Sequence, residues 1–328
     1  MSLREFFGAL TVCAAATFHP AWAQDASSFP SKVVRIIAPA APGGPSDTMA
    51  RLVAERLSRA LGQQVIVENR PGASQMLGTD LVAKAAPDGH TLLLATSSAI
   101  VMLPSTGKQM PYDPKRDLTM VAHLATTPLV LYAHSAMPVS NLQQMIALAK
   151  SKPGKLSYGS FGNGTSANIL GEYFSKRAGV KMVHVPYKGI VPMATDLAGT
   201  QIDFGIGDAG SPAPFVKAGK IKALAASGKA RSATLPDVPT FAELGIAGME
   251  PFSSWLAVMA PANTPKPIVD RLSAEIVKIV RAPEMLERYH GIGLTPTGLG
   301  AANATELMNA EMAVWQKIIS DVPDVKFD

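Results

Sequence analysis

Cysteine is nearly absent from this chain. Its 328 residues include a single cysteine, Cys13, which lies in an apolar stretch near the N-terminus. Small residues on both sides of Trp22 suit cleavage by a signal peptidase, so we predict a secretory signal over residues 1–23 that is cut after Ala23. The mature chain would then contain no thiol, which excludes disulfides, thiolate catalysis and cysteine-based metal sites.

Long apolar runs are missing beyond that signal. No stretch of the mature sequence approaches the about 20 apolar residues that a membrane-spanning helix requires. A lipid anchor on Cys13 is an alternative, although Val12 is larger than the residue that usually precedes such a cysteine. We therefore expect the mature protein to be exported and soluble.

Charge of one sign is not concentrated anywhere in the sequence. Charged residues make up 17% of the chain and the net charge is +5, with lysine and arginine scattered rather than grouped. This pattern argues against a nucleic-acid partner. The hydrophobic content of 47% is typical of a globular protein, and the length favours two domains over one.

Catalytic and metal-binding patterns are also lacking. The six histidines are dispersed, and none lies at a metal-ligand spacing from another histidine or a carboxylate. The sequence contains no Gly-x-Ser-x-Gly nucleophile turn and no Gly-Lys-Ser/Thr phosphate loop. We predict a protein without catalytic residues, metal or cofactor, and we keep an exported α/β enzyme acting on a carboxylate as the alternative.

What the sequence does contain is a glycine-rich loop that occurs twice, each time between an apolar strand and an amphipathic helix. The first glycine-rich loop is Pro39–Asp47 and the second is Gly159–Ser166. Such a loop points unpaired backbone N–H groups and the positive end of a helix at one place, which suits an anion. Two of these loops predict two lobes that close on one anionic ligand.

A dinucleotide-binding fold is a rival interpretation of the second loop. Gly162–Ala167 matches Gly-x-Gly-x-x-Ala, a known phosphate-binding fingerprint. That fingerprint also needs an acidic residue about 20 positions later to hold the ribose. The segment at that distance, Lys181–Tyr187, contains no carboxylate, so the rival is disfavoured.

The rest of the chain alternates short apolar runs with helical patterns, which predicts an α/β protein with mostly parallel sheets flanked by helices. Two extended segments, Val121–Tyr132 and Ser253–Met259, are candidate hinge strands. They place residues 24–125 and 252–328 in lobe 1 and residues 126–251 in lobe 2. The predicted helices begin at Thr48 and Ala167 or span 142–151, 266–280 and 305–319; the predicted strands span 65–67, 91–95, 183–185, 202–206 and 221–225.

Further motifs carry a family resemblance. Besides the two loops they are Glu-Asn-Arg-Pro-Gly-Ala at 68–73, Ala-Pro-Asp-Gly at 86–89, Tyr-Asp-Pro at 112–114, His-Val-Pro-Tyr-Lys-Gly at 184–189, Leu-Pro-Asp-Val-Pro-Thr at 235–240 and Ala-Pro at 260–261. Across nearly the whole mature chain, and in this order, they closely resemble the Bug (TctC-type) family, the periplasmic solute receptors of tripartite tricarboxylate transporters.

This resemblance implies a two-lobe periplasmic binding protein with a type II-like fold, which we expect to be a monomer. Such a receptor delivers a small carboxylate to the membrane permease subunits of its transporter. The ligand classes implied are di- and tricarboxylates, amino acids and aromatic carboxylates.

The resemblance also implies a binding site. In that family the two glycine-rich loops hold a ligand carboxylate, largely through backbone groups and bridging waters. Ser98 and Asp208 match positions that line the cleft, and Asn168 stands where relatives often carry histidine. The residues predicted to bind ligand are Ala40, Gly43, Gly44, Ser46, Asp47, Ser98, Phe161, Gly162, Asn163, Gly164, Thr165, Ser166, Asn168 and Asp208.

The sequence departs from the family pattern inside the first loop. Relatives usually carry a bulky residue at Ala40 and a glycine at Pro45, and Ser74–Met76 replaces a common Gly-Gly-Asn. The loss of bulk at Ala40 predicts room for a larger ligand, such as an aromatic dicarboxylate, unless Phe161 or Trp255 fills the same space.

Three charged residues near these motifs are harder to assign. Asp47 would repel an anion in direct contact, so we expect it to brace its loop or to bind a ligand hydroxyl or amine. For Arg70 and for Lys188, a carboxylate contact and a structural role both remain open.

Overall fold

The computed structural model describes residues 28–325 of the chain except Lys108, Ala233 and Asp324. The predicted signal over residues 1–23, with its cleavage after Ala23, lies outside the described residues. Within them the chain forms two α/β lobes, each a sheet flanked by helices, which confirms the predicted fold class.

Strands and helices alternate along most of the chain. The first part forms β1 (Val34–Ala38), α1 (Pro45–Leu61), β2 (Val65–Asn69), α2 (Met76–Ala83), β3 (Thr91–Thr96), the short helices α3 (Leu103–Ser105) and α4 (Pro114–Asp117), and β4 (Leu118–Pro128). The middle part forms β5 (Val130–His134), α5 (Leu142–Ser151), β6 (Ser157–Ser160), α6 (Ser166–Ala178), β7 (Val183–Pro186), α7 (Ile190–Ala198), β8 (Phe204–Gly207), α8 (Ala213–Lys217) and β9 (Ile221–Ala226). The last part forms β10 (Ser253–Pro261), α9 (Lys266–Val280), α10 (Pro283–Gly291), β11 (Thr295–Gly300) and α11 (Ala301–Ser320).

Both sheets are mixed rather than mostly parallel as predicted. The first has the strand order β11-β4-β10-β3-β1-β2 and the second β7-β6-β8-β5-β9. Strand β1 pairs in parallel with β2 and β3, and β6 with β7 and β8, whereas the other neighbours are antiparallel. The connection between the lobes explains this: the chain leaves the first lobe through β4 and returns through β10, so these paired strands run in opposite directions.

The two crossings between the lobes lie side by side. Strands β4 and β5 meet at Leu129, and the returning chain enters β10 directly after Phe252. Ser227 joins both points, because its hydroxyl accepts a hydrogen bond from the Leu129 N–H at 2.9 Å and donates to the Phe252 carbonyl. The predicted lobe boundaries at 125/126 and 251/252 fall close to these crossings and stay a prediction.

Helix α1 illustrates why these segments take their observed form. Its Met49, Val53 and Leu57 share one face and pack into the core with strand β1, where full burial of each contributes roughly 1.5–3 kcal/mol. The helix begins at Pro45, before the predicted start at Thr48, because a first-turn residue does not need the N–H that proline lacks. It ends at Gly62, whose φ of +66° gives the left-handed turn that commonly terminates a helix.

Strand β11 was not predicted from the sequence. It contains Pro296 and Gly298, and both residue types are normally depleted in strands. It lies at the sheet edge beside β4, with a register shift between Pro296 and Leu299, where a missing N–H and a bulge are tolerated. Helices α2, α3, α4, α7, α8 and α10 also went unpredicted, while every predicted helix and strand overlaps an observed one.

Candidate ligand-binding cleft

A cleft of about 720 Å³ lies between the two lobes. Its lining includes loops that follow the carboxyl ends of parallel strands, where α/β folds usually place ligands, and its volume is in the range of small-molecule sites. Of the predicted site residues, the structure brings together in this lining Ala40, Gly44, Ser46, Ser98, Phe161, Gly162, Asn163, Gly164, Thr165 and Asp208. The remaining four, which do not line it, are Gly43, Asp47, Ser166 and Asn168.

The strand order sorts these loops into three pairs. Counted outward from the lobe crossings, the first sheet runs β10-β3-β1-β2 and the second runs β5-β8-β6-β7. The loops after β3 and β8 are the inner pair, the two glycine-rich loops after β1 and β6 are the middle pair, and the loops after β2 and β7 are the outer pair. Neighbouring strands lie about 4.8 Å apart, so each pair is displaced from the next by roughly that distance.

Asp47 braces the first glycine-rich loop. Its carboxylate accepts hydrogen bonds from the Gly43 backbone N–H at 3.0 Å, the Asn69 amide at 3.0 Å and the Arg51 guanidinium at 3.1 Å. The Asn69 amide also donates to the Ala40 carbonyl oxygen at 3.1 Å. Gly43 has a φ of +87°, which favours glycine. Asp47 therefore fixes the shape of the loop from behind the cleft lining.

The Asp47 brace is charged. Burial acts to raise the pKa of its carboxyl, but the hydrogen bonds from Arg51, Gly43 and Asn69 outweigh burial, and the pKa lies below its ordinary value of 3.8. Arg51 also forms an ion pair with Asp47 at 3.0 Å. This pairing offsets the negative charge that Asp47 would otherwise direct at an anion in the cleft.

Asn168 braces the second glycine-rich loop without a charge. Its side-chain oxygen accepts a hydrogen bond from the Gly164 N–H at 3.0 Å, and its amide donates to the Tyr158 hydroxyl at 3.0 Å. Tyr158 donates in turn to Glu172 at 2.6 Å. Burial, and then the Glu172 carboxylate, raise the pKa of Tyr158, so the phenol keeps its proton. The loop is thus held by a buried hydrogen-bond chain.

Glycines give this second loop its path. Gly162 has a φ of +142° and Gly164 a φ of +66°, values that residues with side chains rarely adopt. The Gly162 carbonyl oxygen accepts hydrogen bonds from the Thr165 hydroxyl at 2.8 Å and the Ser160 hydroxyl at 3.0 Å. An oxygen that would repel an anion is therefore already occupied.

Two helix starts meet at the middle pair of loops. The N-cap residues of α1 and α6, Gly44 and Thr165, make no side-chain capping hydrogen bond, and both line the cleft. The N–H groups of a first helical turn have no acceptor within the helix, and the helix dipole is positive there. The arrangement offers backbone donors to an anion from opposite lobes.

The inner pair of loops contributes hydroxyls and one carboxylate. Thr96 ends β3 and Ser98 follows it, and Asp208 and Ser211 follow β8. The Asp208 carboxylate accepts hydrogen bonds from the Gly210 N–H at 2.7 Å, the Ser211 N–H at 2.6 Å and the Ser211 hydroxyl at 3.0 Å. Burial raises the pKa of Asp208, although these hydrogen bonds act against the increase.

The outer pair contains residues that the sequence analysis missed or left open. Gln75 lines the cleft with a φ of +77°, and its side-chain oxygen accepts a hydrogen bond from the Thr96 hydroxyl. Tyr187 and Lys188 line it from the other lobe. The sequence signal was their position in the loops that follow β2 and β7, but neither loop carries a motif as distinctive as the paired glycines.

The structure shows which of three residues with open roles line the cleft. Arg70 does not line the cleft, and its guanidinium forms an ion pair with Glu68 at 3.1 Å. Trp255 is buried, donates from its indole to Glu311 at 2.5 Å and does not line the cleft beside Ala40. Phe161 does line the cleft.

The described residues contain neither a candidate metal site nor a candidate membrane-spanning helix. In that part of the chain, no group of three or more histidine, cysteine or acidic side chains is placed to hold a metal ion. None of the helices that the structure describes is long and apolar enough to span a membrane.

Two α/β lobes joined by adjacent crossings, with a cleft between their carboxyl edges, define a solute-binding protein. The chain belongs to the tripartite tricarboxylate transporter receptors, because the TctC family, described as "Tripartite tricarboxylate transporter family receptor", matches residues 49–323. This confirms the resemblance drawn from the motifs. The receptors of this family are periplasmic binding proteins, which places the chain in the periplasm.

Individual relatives agree with this assignment. Protein BugT of Bordetella pertussis is 34% identical over 301 residues, which cover 90% of this chain and 91% of BugT. The structure of R. palustris Rpa4515 with adipate has a TM-score of 0.85 and 32% identity, and covers 90% of this chain and 98% of its own. The structure of MatC from Rhodopseudomonas palustris with bound malate has a TM-score of 0.81 and 29% identity. The match covers 89% of this chain and 100% of the MatC chain.

Proposed function

We propose that this protein captures a small carboxylate between its lobes and passes it to a tripartite tricarboxylate transporter. The observation that carries the proposal is the middle pair of loops, where two uncapped helix starts face one cleft from opposite lobes. Backbone N–H groups there would bind the carboxylate, assisted by the cleft hydroxyls. Adipate and malate, the ligands in the structures of two relatives, support the same chemistry.

The proposal includes a closing motion. Residues 24–125 with 252–328 would form one body and residues 126–251 the other, rotating about the crossings at Leu129 and Phe252. Hydrogen bonds to a charged group contribute roughly 1.5–3 kcal/mol each, so a few of them in a closed cleft would give about micromolar affinity.

We further propose that the ligand leaves unchanged. The mature receptor would begin at Gln24, act as a monomer and dock onto the permease subunits of its transporter. Recovery of bound ligand without chemical alteration, measured by NMR after long incubation, distinguishes this receptor from an exported enzyme.

Calorimetric titration tests the carboxylate proposal. Adipate and malate are titrated into the protein, with adipamide and glucose as uncharged controls. We expect heat of binding and a raised thermal midpoint for at least one carboxylate, because a ligand that binds only the folded state stabilises it. Binding of an uncharged control, with no response to any carboxylate in a wider panel, would overturn the proposal.

A further inference from the structure

The charges lining the cleft are few and are separated by position. Among the described lining residues the charged side chains are Asp208, in the inner pair of loops, and Lys188, in the outer pair. The middle pair, where a first carboxylate would bind, lies between them and contributes no charged side chain to the lining. The cleft is therefore negative towards the crossings and positive towards its outer edge.

Lys188 is available for a ligand. Within the described residues no carboxylate oxygen lies within 4.0 Å of the Lys188 ammonium group. By contrast, the ammonium groups of Lys222 and Lys176 donate hydrogen bonds to backbone carbonyl oxygens. Lys188 is exposed, so its flexible side chain and compact charge can turn towards an anion.

Strand pairing fixes the distance between the middle and outer loops in lobe 2. Ser160 at the end of β6 is in register with Pro186 at the end of β7, and the Tyr187 N–H donates to the Ser160 carbonyl at 3.0 Å. The outer loop therefore starts about one strand spacing, ~4.8 Å, from the second glycine-rich loop. A carbon chain of a few atoms would bridge this separation.

Electrostatics determines which way such a chain points. A second carboxylate directed towards the inner loops would approach the Asp208 carboxylate, and like charges repel. Directed outward it would approach Lys188 on one lobe and Gln75 on the other. The Gln75 oxygen is occupied by Thr96, and its amide N–H groups have no acceptor among the described residues.

Resting on the proposed function, we infer that Lys188 pairs with the second carboxylate of a linear dicarboxylate ligand. The first carboxylate stays on the middle loops and the chain extends towards the outer pair. Lys188 is then a specificity-determining residue that separates dicarboxylates from monocarboxylates of equal length.

The test combines one substitution in the protein with one change in the ligand, so that four affinities are compared. Wild type and Lys188→Met are titrated calorimetrically with adipate and with hexanoate, which lacks the second carboxylate. We expect wild type to prefer adipate by at least about tenfold, and Lys188→Met to weaken adipate binding about 10- to 100-fold, the range for a charge-assisted hydrogen bond. Hexanoate affinity should change less than about threefold, because its single carboxylate does not reach Lys188.

Three controls make the result specific. Lys188→Arg retains the positive charge and should keep the adipate preference. Lys217→Met removes an exposed lysine of the same lobe outside the cleft lining and should change neither affinity. Thermal midpoints of the ligand-free variants identify any loss of folding, and the ratio of adipate to hexanoate affinity cancels a uniform loss of active protein.

The outcomes separate the inference from the function on which it rests. Equal affinity of wild type for the two ligands, or an equal effect of Lys188→Met on both, would overturn the role of Lys188 and leave carboxylate binding intact. Absence of binding for every carboxylate tested would instead overturn the proposed function.

Discussion

The two glycine-rich loops reach the cleft in the same way but are held by different chemistry. The first is braced by the ionised carboxylate of Asp47, which is paired with the half-exposed Arg51. The second is braced by the amide of Asn168 within a buried chain that continues through Tyr158. One loop therefore depends on charge and the other on burial.

The glycines that line the cleft differ as well. Gly44 in the first loop has a φ of −83°, open to any residue, and a Cβ there would meet no atom within 4 Å. Gly162 and Gly164 in the second loop have positive φ values that side chains disfavour. A glycine can thus serve by the space in front of it, as at Gly44, or by the backbone path it allows, as at Gly43, Gly162 and Gly164.

The largest expected effect is on ligand binding, from Gly44→Val. The backbone accepts valine here without strain, and the new side chain would project into open space at the cleft, so carboxylate affinity should fall at least about 100-fold. The thermal midpoint without ligand should stay within about 2 °C of wild type. Titration with adipate and a thermal melt provide the two measurements.

The matched control for that variant is Gly291→Val. Gly291 also has open space at its Cβ but lies in α10, outside the cleft lining. It should leave affinity unchanged. By contrast, Gly164→Val should lower the thermal midpoint as well as the affinity, because a φ of +66° strains valine by about 1–3 kcal/mol. Equal midpoints for Gly44→Val and Gly164→Val would remove the contrast between these two glycines.

The next largest effect is on stability, from Asn168→Leu. Leucine has a similar size but leaves the buried Gly164 N–H without its acceptor, which should lower the free energy of unfolding by about 2–3 kcal/mol. Urea denaturation measures this loss. Asn303→Leu, at an exposed position of α11, should have little effect. An unchanged urea midpoint for Asn168→Leu would show that the second loop does not depend on its buried brace.

The smallest effect should come from Asp47→Asn in the first loop. The side chain keeps an acceptor for the loop but loses its ion pair with Arg51, whose side chain is 54% exposed. Because exposed pairs contribute about 0–1 kcal/mol, we expect a loss of about 1 kcal/mol in the same urea experiment. A loss greater than that of Asn168→Leu would reverse the ranking of the two braces.

The stability that Asp47 contributes to the first loop should depend on pH. The pKa of Asp47 lies below its ordinary value of 3.8 in the folded protein, so its contribution to stability is fully present above pH 3.8. That contribution is lost as the pH falls through the folded pKa. The stability difference between wild type and Asp47→Asn should therefore shrink below about pH 4. Thermal midpoints measured from pH 7 to pH 3 test this, and a difference that stays constant contradicts it.

Much of this fold could be predicted from local sequence patterns. The spacing of Met49, Val53 and Leu57 predicted a helix because it places apolar side chains on one face. The observed α5 and α9 have the predicted bounds. Strand β11 escaped prediction because its proline and glycine are tolerated only at a sheet edge, and a sequence does not mark where the edge of its sheet lies.

The middle pair of loops in the cleft was predicted because glycines and helix starts are local signals. The outer pair was not, since Gln75 and Tyr187 acquire their position only when β2 pairs with β1 and β7 pairs with β6. The strand pairing likewise shows that Arg70 is engaged by Glu68 outside the cleft while Lys188 lines it.

By itself, then, the sequence determined the α/β class, the family and the two loops suited to an anion, because each depends on residue types at short spacings. The tertiary structure alone decided that the sheets are mixed, that Asp47 and Asn168 stand behind the lining, and that Lys188 is its one cation among the described residues. These features depend on contacts between segments far apart in the chain, whose proximity is fixed only when the strands pair and the core packs.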